Sequence, residues 1–225
     1  MASCCKDLTK ATNCEDEKEG RVGNPPLARS TKVRCCISTD FRKFYHRGDL
    51  PVRVINSRKI LWTVPIESLD YDFYLPLFFD GLVELEHPFE LLAYLGAYEM
   101  IENTNGCKVN PVLSRLILPM KNALCTRNCR VIMKVLKLIQ VMIVKESEIG
   151  ISLVPYYRHL LGILNIFKNK NVTTGDLIEF GHRDNLGDLI NETLEMMERC
   201  GGDNAFINIK YMIPTYESCF YCSRR

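Results

Sequence analysis

Apolar positions recur along most of this chain with the period of a helix, most clearly between residues 111 and 167. Two apolar segments there open alike, Pro111-Val-Leu-Ser-Arg-Leu-Ile-Leu and Pro155-Tyr-Tyr-Arg-His-Leu-Leu-Gly, 44 residues apart. Proline suits the first turn of a helix, where its missing N–H would have had no partner. Between the two lies a long amphipathic stretch, 128–144. Its Val131, Ile132, Val135, Leu136, Ile139 and Ile143 fall on one side, and Arg127, Arg130, Lys134 and Lys137 fall within one arc of about 80° at ~100° per residue. Val141 breaks the pattern by lying among the charges.

The 44-residue spacing falls inside the ~40–47 residue period of HEAT and armadillo repeats. It predicts an all-α fold, a HEAT/armadillo-like α-solenoid, and such folds bind partners more often than they catalyse. The neighbouring segments extend the series. Leu69 to Tyr74 reads as a short helical piece, Pro76 as the start of a helix over 76–85, and Pro88 as the start of another over 88–101. Asn103-Thr-Asn-Gly106 stops that helix. Helices over 111–124 and 128–144 follow, joined by Cys125-Thr-Arg127, a loop short enough to make them antiparallel neighbours. Residues 147–168 continue the stack, with Pro155 as a break or a fresh start, and 169–183 reads as a polar loop. Leu186, Leu189, Ile190, Thr193, Leu194 and Met197 lie on one helical face, with Asp184 or Asn185 as cap and Gly201-Gly202 as stop. In the segment 203–219, Ile207, Ile209 and Tyr211 alternate, and an extended docked strand and a short helix both fit.

The first 64 residues depart from this period. Val52-Arg-Val-Ile and Lys59-Ile-Leu-Trp-Thr-Val flank the polar Asn56-Ser-Arg58, which predicts a small β-hairpin over about 52–64. Trp62, the sole tryptophan, is expected to pack the hairpin onto the first helices. Residues 1–40 lack periodicity and hold Gly23-Asn-Pro-Pro26, so they read as a disordered or extended arm. The expected organisation is that arm, then one helical-repeat domain over 41–225, with helices over about 68–200.

Charge is distributed in blocks. From Arg21 to Arg47 seven basic residues face one acid, Asp40. From Glu67 to Glu102 there are nine acids and no Lys or Arg, and from Lys108 to Lys145 eight basic residues and no acid. From Asp176 to Asp203 eight acids face Arg183 and Arg199. In a solenoid, blocks of sequence become neighbouring slabs, because each repeat touches only its neighbours. A surface built for solubility alone mixes signs, so the acid-free block predicts an electropositive docking face. The net charge of +2 and pI of about 8.0, with acidic blocks on both sides, argue against a nucleic-acid footprint.

Candidate chemistry is sparse. The eleven cysteines include Cys4-Cys5, Cys35-Cys36, Cys125 and Cys129, and a lone Cys219-Phe-Tyr-Cys222, with no second CxxC to complete a zinc site. The opening Met-Ala-Ser-Cys-Cys-Lys-Asp has no apolar signal core, and no run reaches the ~18 apolar residues of a membrane span. Free thiols in a reducing compartment are therefore expected. His46, His87, His159 and His182 are scattered, and no GxGxxG, P-loop or GxSxG occurs. The expectation is no enzyme, no cofactor and no metal.

Specific stretches resemble the parkin co-regulated protein family. They are Phe41-Arg-Lys-Phe-Tyr-His-Arg-Gly-Asp-Leu-Pro51, Leu69-Asp-Tyr-Asp-Phe-Tyr-Leu-Pro-Leu-Phe-Phe-Asp-Gly-Leu82, Pro119-Met-Lys-Asn-Ala-Leu124, Leu153-Val-Pro-Tyr-Tyr-Arg158, Leu164-Asn-Ile-Phe-Lys-Asn169 and Asn204-Ala-Phe-Ile-Asn-Ile-Lys-Tyr211, followed by Pro-Thr-Tyr-Glu-Ser-Cys219. The resemblance runs in order from Phe41 to Cys219, with an unmatched Cys-rich arm and tail, as in a divergent paralogue. It implies a helical-repeat protein of cilia and flagella, a microtubule inner protein at the inner junction of axonemal doublets. The implied partners are α/β-tubulin, a small β-rich inner-junction protein and other axonemal proteins, with no nucleic acid and no membrane. Tubulin is acidic, so Arg42, Lys43, Arg47, Lys121, Arg127, Arg130, Lys134 and Lys137 are the expected contact residues. A soluble cytoplasmic adaptor is the competing reading, and an RNA-binding helical repeat a weaker one.

Overall fold

The computed structural model describes residues 32–34, 39–55, 59–104, 108–168 and 185–222, with side chains to Phe220. The expected arm over 1–40 therefore lies outside the described residues except at 32–34 and 39–40. The same holds for the hairpin turn at 56–58 and the polar loop over 169–183.

The first helix, α1, spans Asp40–Arg47. Thr39 Oγ1 accepts from Arg42 N, Asp40 sits at the positive end of the helix, and Gly48 closes it at φ 80°. The hairpin follows as β1 (Val52–Ile55) and β2 (Lys59–Trp62), antiparallel, with Val52 opposite Trp62 and Ile55 opposite Lys59. Trp62 pins it as expected: the indole Nε1 donates to Glu99 Oε2 at 2.6 Å, and the ring meets Phe78 edge-on at 5.9 Å.

The next helix corrects the sequence reading. One continuous helix, α2, runs Tyr71–Gly81 with Pro76 in its middle, where a break was expected. Pro76 has no N–H for the carbonyl of Asp72, four residues earlier. That carbonyl instead accepts from Arg115 Nη1 at 3.3 Å. Burial of Leu75, Phe78 and Phe79 holds both sides of the proline in one helix. Then come α3 (Phe89–Glu102), α4 (Val109–Cys125) and α5 (Cys129–Lys145, capped by Asn128), close to the expected limits. Pro111 sits in the first turn of α4. Pro155 lies in a 3-10 turn, Val154–Tyr156, between α6 (Glu148–Leu153) and α7 (Tyr157–Phe167). The 44-residue spacing thus joins a helix start to a break, and does not join two equivalent helix starts. After α8 (Leu186–Cys200, capped by Asn185) the chain forms α9 (Ala205–Met212) and a short α10 (Cys219–Cys222). The helix at α9 settles the alternatives for the tail: Ile209 is buried, whereas Ile207 and Tyr211 are exposed, at 65% and 84%.

The fold is mostly helical with one two-stranded antiparallel sheet among the described residues. Helices pack in two rows. In one row α2 contacts α4, α4 contacts α6 and α7, and α7 contacts α9; in the other, α3 contacts α5 and α5 contacts α8. The rows join through the pairs α2–α3, α4–α5 and α7–α8. This central position explains α5, where Val131, Ile132, Val135, Leu136, Leu138 and Met142 are fully buried. The helix is apolar on far more than one face because it is packed on three sides. At the α2–α3 crossing, Gly96 is required, since a Cβ there would enter the Phe78 ring.

Three glutamates are buried at joints between elements, and each finds donors on another element. Glu84 accepts from Thr39 Oγ1 (2.7 Å) and Arg42 Nη2 (2.8 Å), fastening α1 to the end of α2. Glu146, just past α5, accepts from the backbone N–H of Val109 (3.0 Å) and Asn110 (3.1 Å). It caps α4, whose own preceding residue, Lys108, supplies no side-chain cap. Glu198 accepts from Tyr216 Oη (2.7 Å), Ser218 Oγ and the Cys219 N–H (3.0 Å). Burial pushes the Glu198 carboxyl up, but the bonds from Ser218, Tyr216 and Cys219 together hold it below the usual carboxylate range. Glu146→Ala should cost about 2–3 kcal/mol, because two helix-start donors lose a charged acceptor. Glu148→Ala, at an exposed position nearby, should cost under ~0.5 kcal/mol; urea unfolding of both variants checks the difference.

Candidate docking surface

The acidic block is only partly an open face: Glu67, Asp70, Asp72, Glu86 and Glu102 are exposed, but most of its acids have partners within the fold. Asp70 caps α2, accepting from Asp72 N at 3.0 Å, and Asp80 accepts from Asp40 N at 2.9 Å. Glu84 and Glu86 share Arg42, Glu90 binds Lys134, and Glu99 holds Trp62. Burial, and then the Glu102 carboxylate, push the Tyr98 phenol above its usual range. Burial pushes the Asp80 carboxyl above its usual range, while the N–H groups of Asp40 and Phe41 pull the other way. Most of these acids serve caps and joints, which is why the surface does not read as the sequence block does.

The basic block is divided between internal and outward roles. Lys108 Nζ reaches the Glu67 carbonyl at 3.2 Å and lies over the Tyr71 ring, and Arg115 turns back to Asp72. Lys134 is the decisive case. It bridges α5 to α3 through Glu90, and the two side chains are only 18% and 27% exposed. Arg130 is exposed, whereas Arg127 and Lys137 are half-buried; all three have interactions within the structure. Arg127 takes φ 57° in the α4–α5 turn. Lys121 is exposed on the last turns of α4. The arc of four cations predicted on α5 is therefore no uniform charged surface.

In α1, Arg42 lies between Glu84 and Glu86 (2.8 and 2.6 Å) with its guanidinium 4.5 Å from the Phe89 ring centre. It is a structural anchor of α1. Lys43 and Arg47 face solvent, at 62% and 68% exposure, with light contacts to Asp40 (2.7 Å) and Asp49 (3.1 Å). Exposed pairs of this kind contribute little to stability and open readily to a partner.

One convergence was invisible in the sequence. The backbone N–H of Arg34 donates to the Thr126 carbonyl at 2.9 Å. This lays Lys32, Val33 and Arg34, all exposed, beside the α4–α5 turn. Basic residues some ninety positions apart therefore share one end of the α4–α5 pair. The pairing is made through main-chain atoms, and no side-chain pattern announces it.

Other candidate chemistry stays scattered. Among the described residues no group of three or more His, Cys, Asp or Glu side chains is placed to hold a metal. His46 and His87 are exposed, and His159 accepts from Arg158 Nε at 3.3 Å. A cleft of about 370 Å³ lies beside the Glu198 joint, lined by Arg199, Asp203, Phe206, Ser218 and Phe220. Its carboxylate is already occupied by the tail.

A sequence profile described as ParcG, Parkin co-regulated protein, matches residues 39–218, from the cap of α1 to the Ser218 that anchors the tail. The chain belongs to the parkin co-regulated protein family. A mouse relative, the parkin coregulated gene protein homolog, is 51% identical over 207 residues, covering 90% of this chain and 86% of the mouse protein. The family match spans every helix from α1 to α9, so the buried joints at Glu84, Glu146 and Glu198 all lie inside it.

Within this family fold, Lys134 and Lys121 should separate cleanly. Lys134→Glu sets two carboxylates together in a half-buried site and should cost about 2 kcal/mol or more. Lys121→Glu should stay within ~0.5 kcal/mol. Equal chemical stability of the two variants would contradict the assignment of Lys134 to an internal role.

Proposed function

We propose that this protein is a non-enzymatic structural component of axonemal doublet microtubules. It bridges or seals the inner junction between the A- and B-tubules, binding α/β-tubulin and a small β-rich inner-junction partner. Its site of action is the cytoskeleton of the cilium or flagellum. Membership of the parkin co-regulated protein family supports this reading. We read the two-row packing as a HEAT/armadillo-like solenoid, a scaffold whose length offers extended surfaces to partners.

The single observation that carries the proposal is the sorting of charge. Asp80, Glu90 and Glu99 on α2 and α3 are taken up in joints between elements, while Lys43, Arg47 and Lys121 lie exposed to solvent. Such a surface meets an acidic partner by charge complementarity. Exposed Ile207 and Tyr211 on α9 favour a second reading, a soluble cytoplasmic adaptor that docks a protein through apolar contacts.

Fractionation separates the two. A doublet component remains with axonemes after a high-salt wash, and the Lys43→Glu/Lys121→Glu variant, though folded, is lost from them. Recovery of the native protein in the soluble fraction would favour the adaptor and contradict the doublet assignment.

A further inference from the structure

The basic turn between α4 and α5 gains two cations from a distant part of the chain. Lys32 and Arg34 arrive there through the Arg34 N–H to Thr126 carbonyl bond, at 2.9 Å. Both side chains are exposed, as are Lys121, one turn before the end of α4, and Arg130, in the first turn of α5. Arg127 lies between them in the turn itself. Neither α4 nor α5 contains an acid. Around the start of α3, Glu84 and Glu86 are bridged by Arg42 and Glu90 is bridged by Lys134, while Arg127 and Arg130 have further interactions within the structure. The amino end of the seventeen-residue α5, with its positive dipole, opens at the same place.

We propose that this turn is a docking site for an extended acidic peptide segment, with Lys32, Arg34, Lys121 and Arg130 as the contacts. The cations come from three separate stretches of backbone and are carried by long side chains around a turn. That arrangement follows a flexible chain of carboxylates better than a fixed bidentate pocket would. The chain's modest net charge and the break in the basic surface at Lys134, which is tied to Glu90, weigh against a polynucleotide, which needs a continuous basic track. This inference rests on the proposed binding of an acidic partner but narrows it to one place and one kind of ligand.

The test is fluorescence anisotropy of a labelled ten-glutamate peptide titrated with the full-length protein, at low and moderate salt. The native protein should bind, with affinity falling as salt rises. The Lys32→Glu/Arg34→Glu/Arg130→Glu variant should bind at least ~tenfold more weakly. Its Arg34 change leaves the main-chain bond to Thr126 in place, and circular dichroism confirms folding. A matched control, Arg53→Glu/Lys59→Glu/Lys145→Glu, makes the same charge change at exposed positions elsewhere and should bind within about twofold of native. Absence of peptide binding, equal loss in the control, or tighter binding of a single-stranded RNA ten-mer would each overturn the proposal. Salt-resistant retention in axonemes by a protein that ignores the peptide would sink this site alone and leave the doublet reading standing.

Discussion

A carboxylate withdrawn from water must be met by donors, and the architecture of this protein turns on where those donors come from. Glu146 stands just past the end of α5 and takes the first two N–H groups of α4, the helix that precedes α5. One side chain thereby closes the central hairpin on itself. α4 and α5 are also the helices that contact both flanking pairs. Glu84 and Glu198 repeat the arrangement at the two ends, tying α1 to α2 and the tail to α8. Buried charges with complete partners add specificity of arrangement more readily than raw stability. Here they define how successive elements meet.

The same logic reassigns the charge blocks. Acids on α2 and α3 face bases on α4 and α5 because adjacent helical pairs stack, so Asp72 meets Arg115 and Glu90 meets Lys134. Alternating blocks along the chain become cross-links between neighbouring layers. What remains for an outside partner is the residue of that pairing, at the α1 surface and at the α4–α5 turn. The exposed basic surface is smaller than the sequence block that suggested it.

Much of the fold was legible in the sequence. Periodicity located α5 and α8, Pro88 marked the start of α3, Asn185 was one of two residues offered as the cap of α8, and β-branched runs marked the hairpin. Pro76 misled, because the Asp72 carbonyl it leaves without a partner finds Arg115, 43 positions further along, and local rules do not see that distance. Glu84, Glu146 and Glu198 were equally hidden, since a charged residue near a helix end reads as solvent-facing until its neighbours in space are known. Of the eight cations read as contacts, Lys43, Arg47, Lys121 and Arg130 are exposed, Arg127 and Lys137 are half-buried, and Arg42 and Lys134 are tied to acids of the fold, while Lys32 and Arg34 reach their place through a main-chain bond that composition does not encode.

If the proposed role is right, the exposed cations of α1 and the α4–α5 turn face an acidic partner in the assembled doublet. Zero-length carbodiimide coupling on intact axonemes, read by mass spectrometry, joins a lysine amine only to a carboxylate already in contact with it. Lys32, Lys43 and Lys121 should couple to tubulin acids, while Lys134 should couple only within its own chain, to Glu90. Coupling to tubulin confined to the lysines of the α9 end, or none from these three, would contradict it.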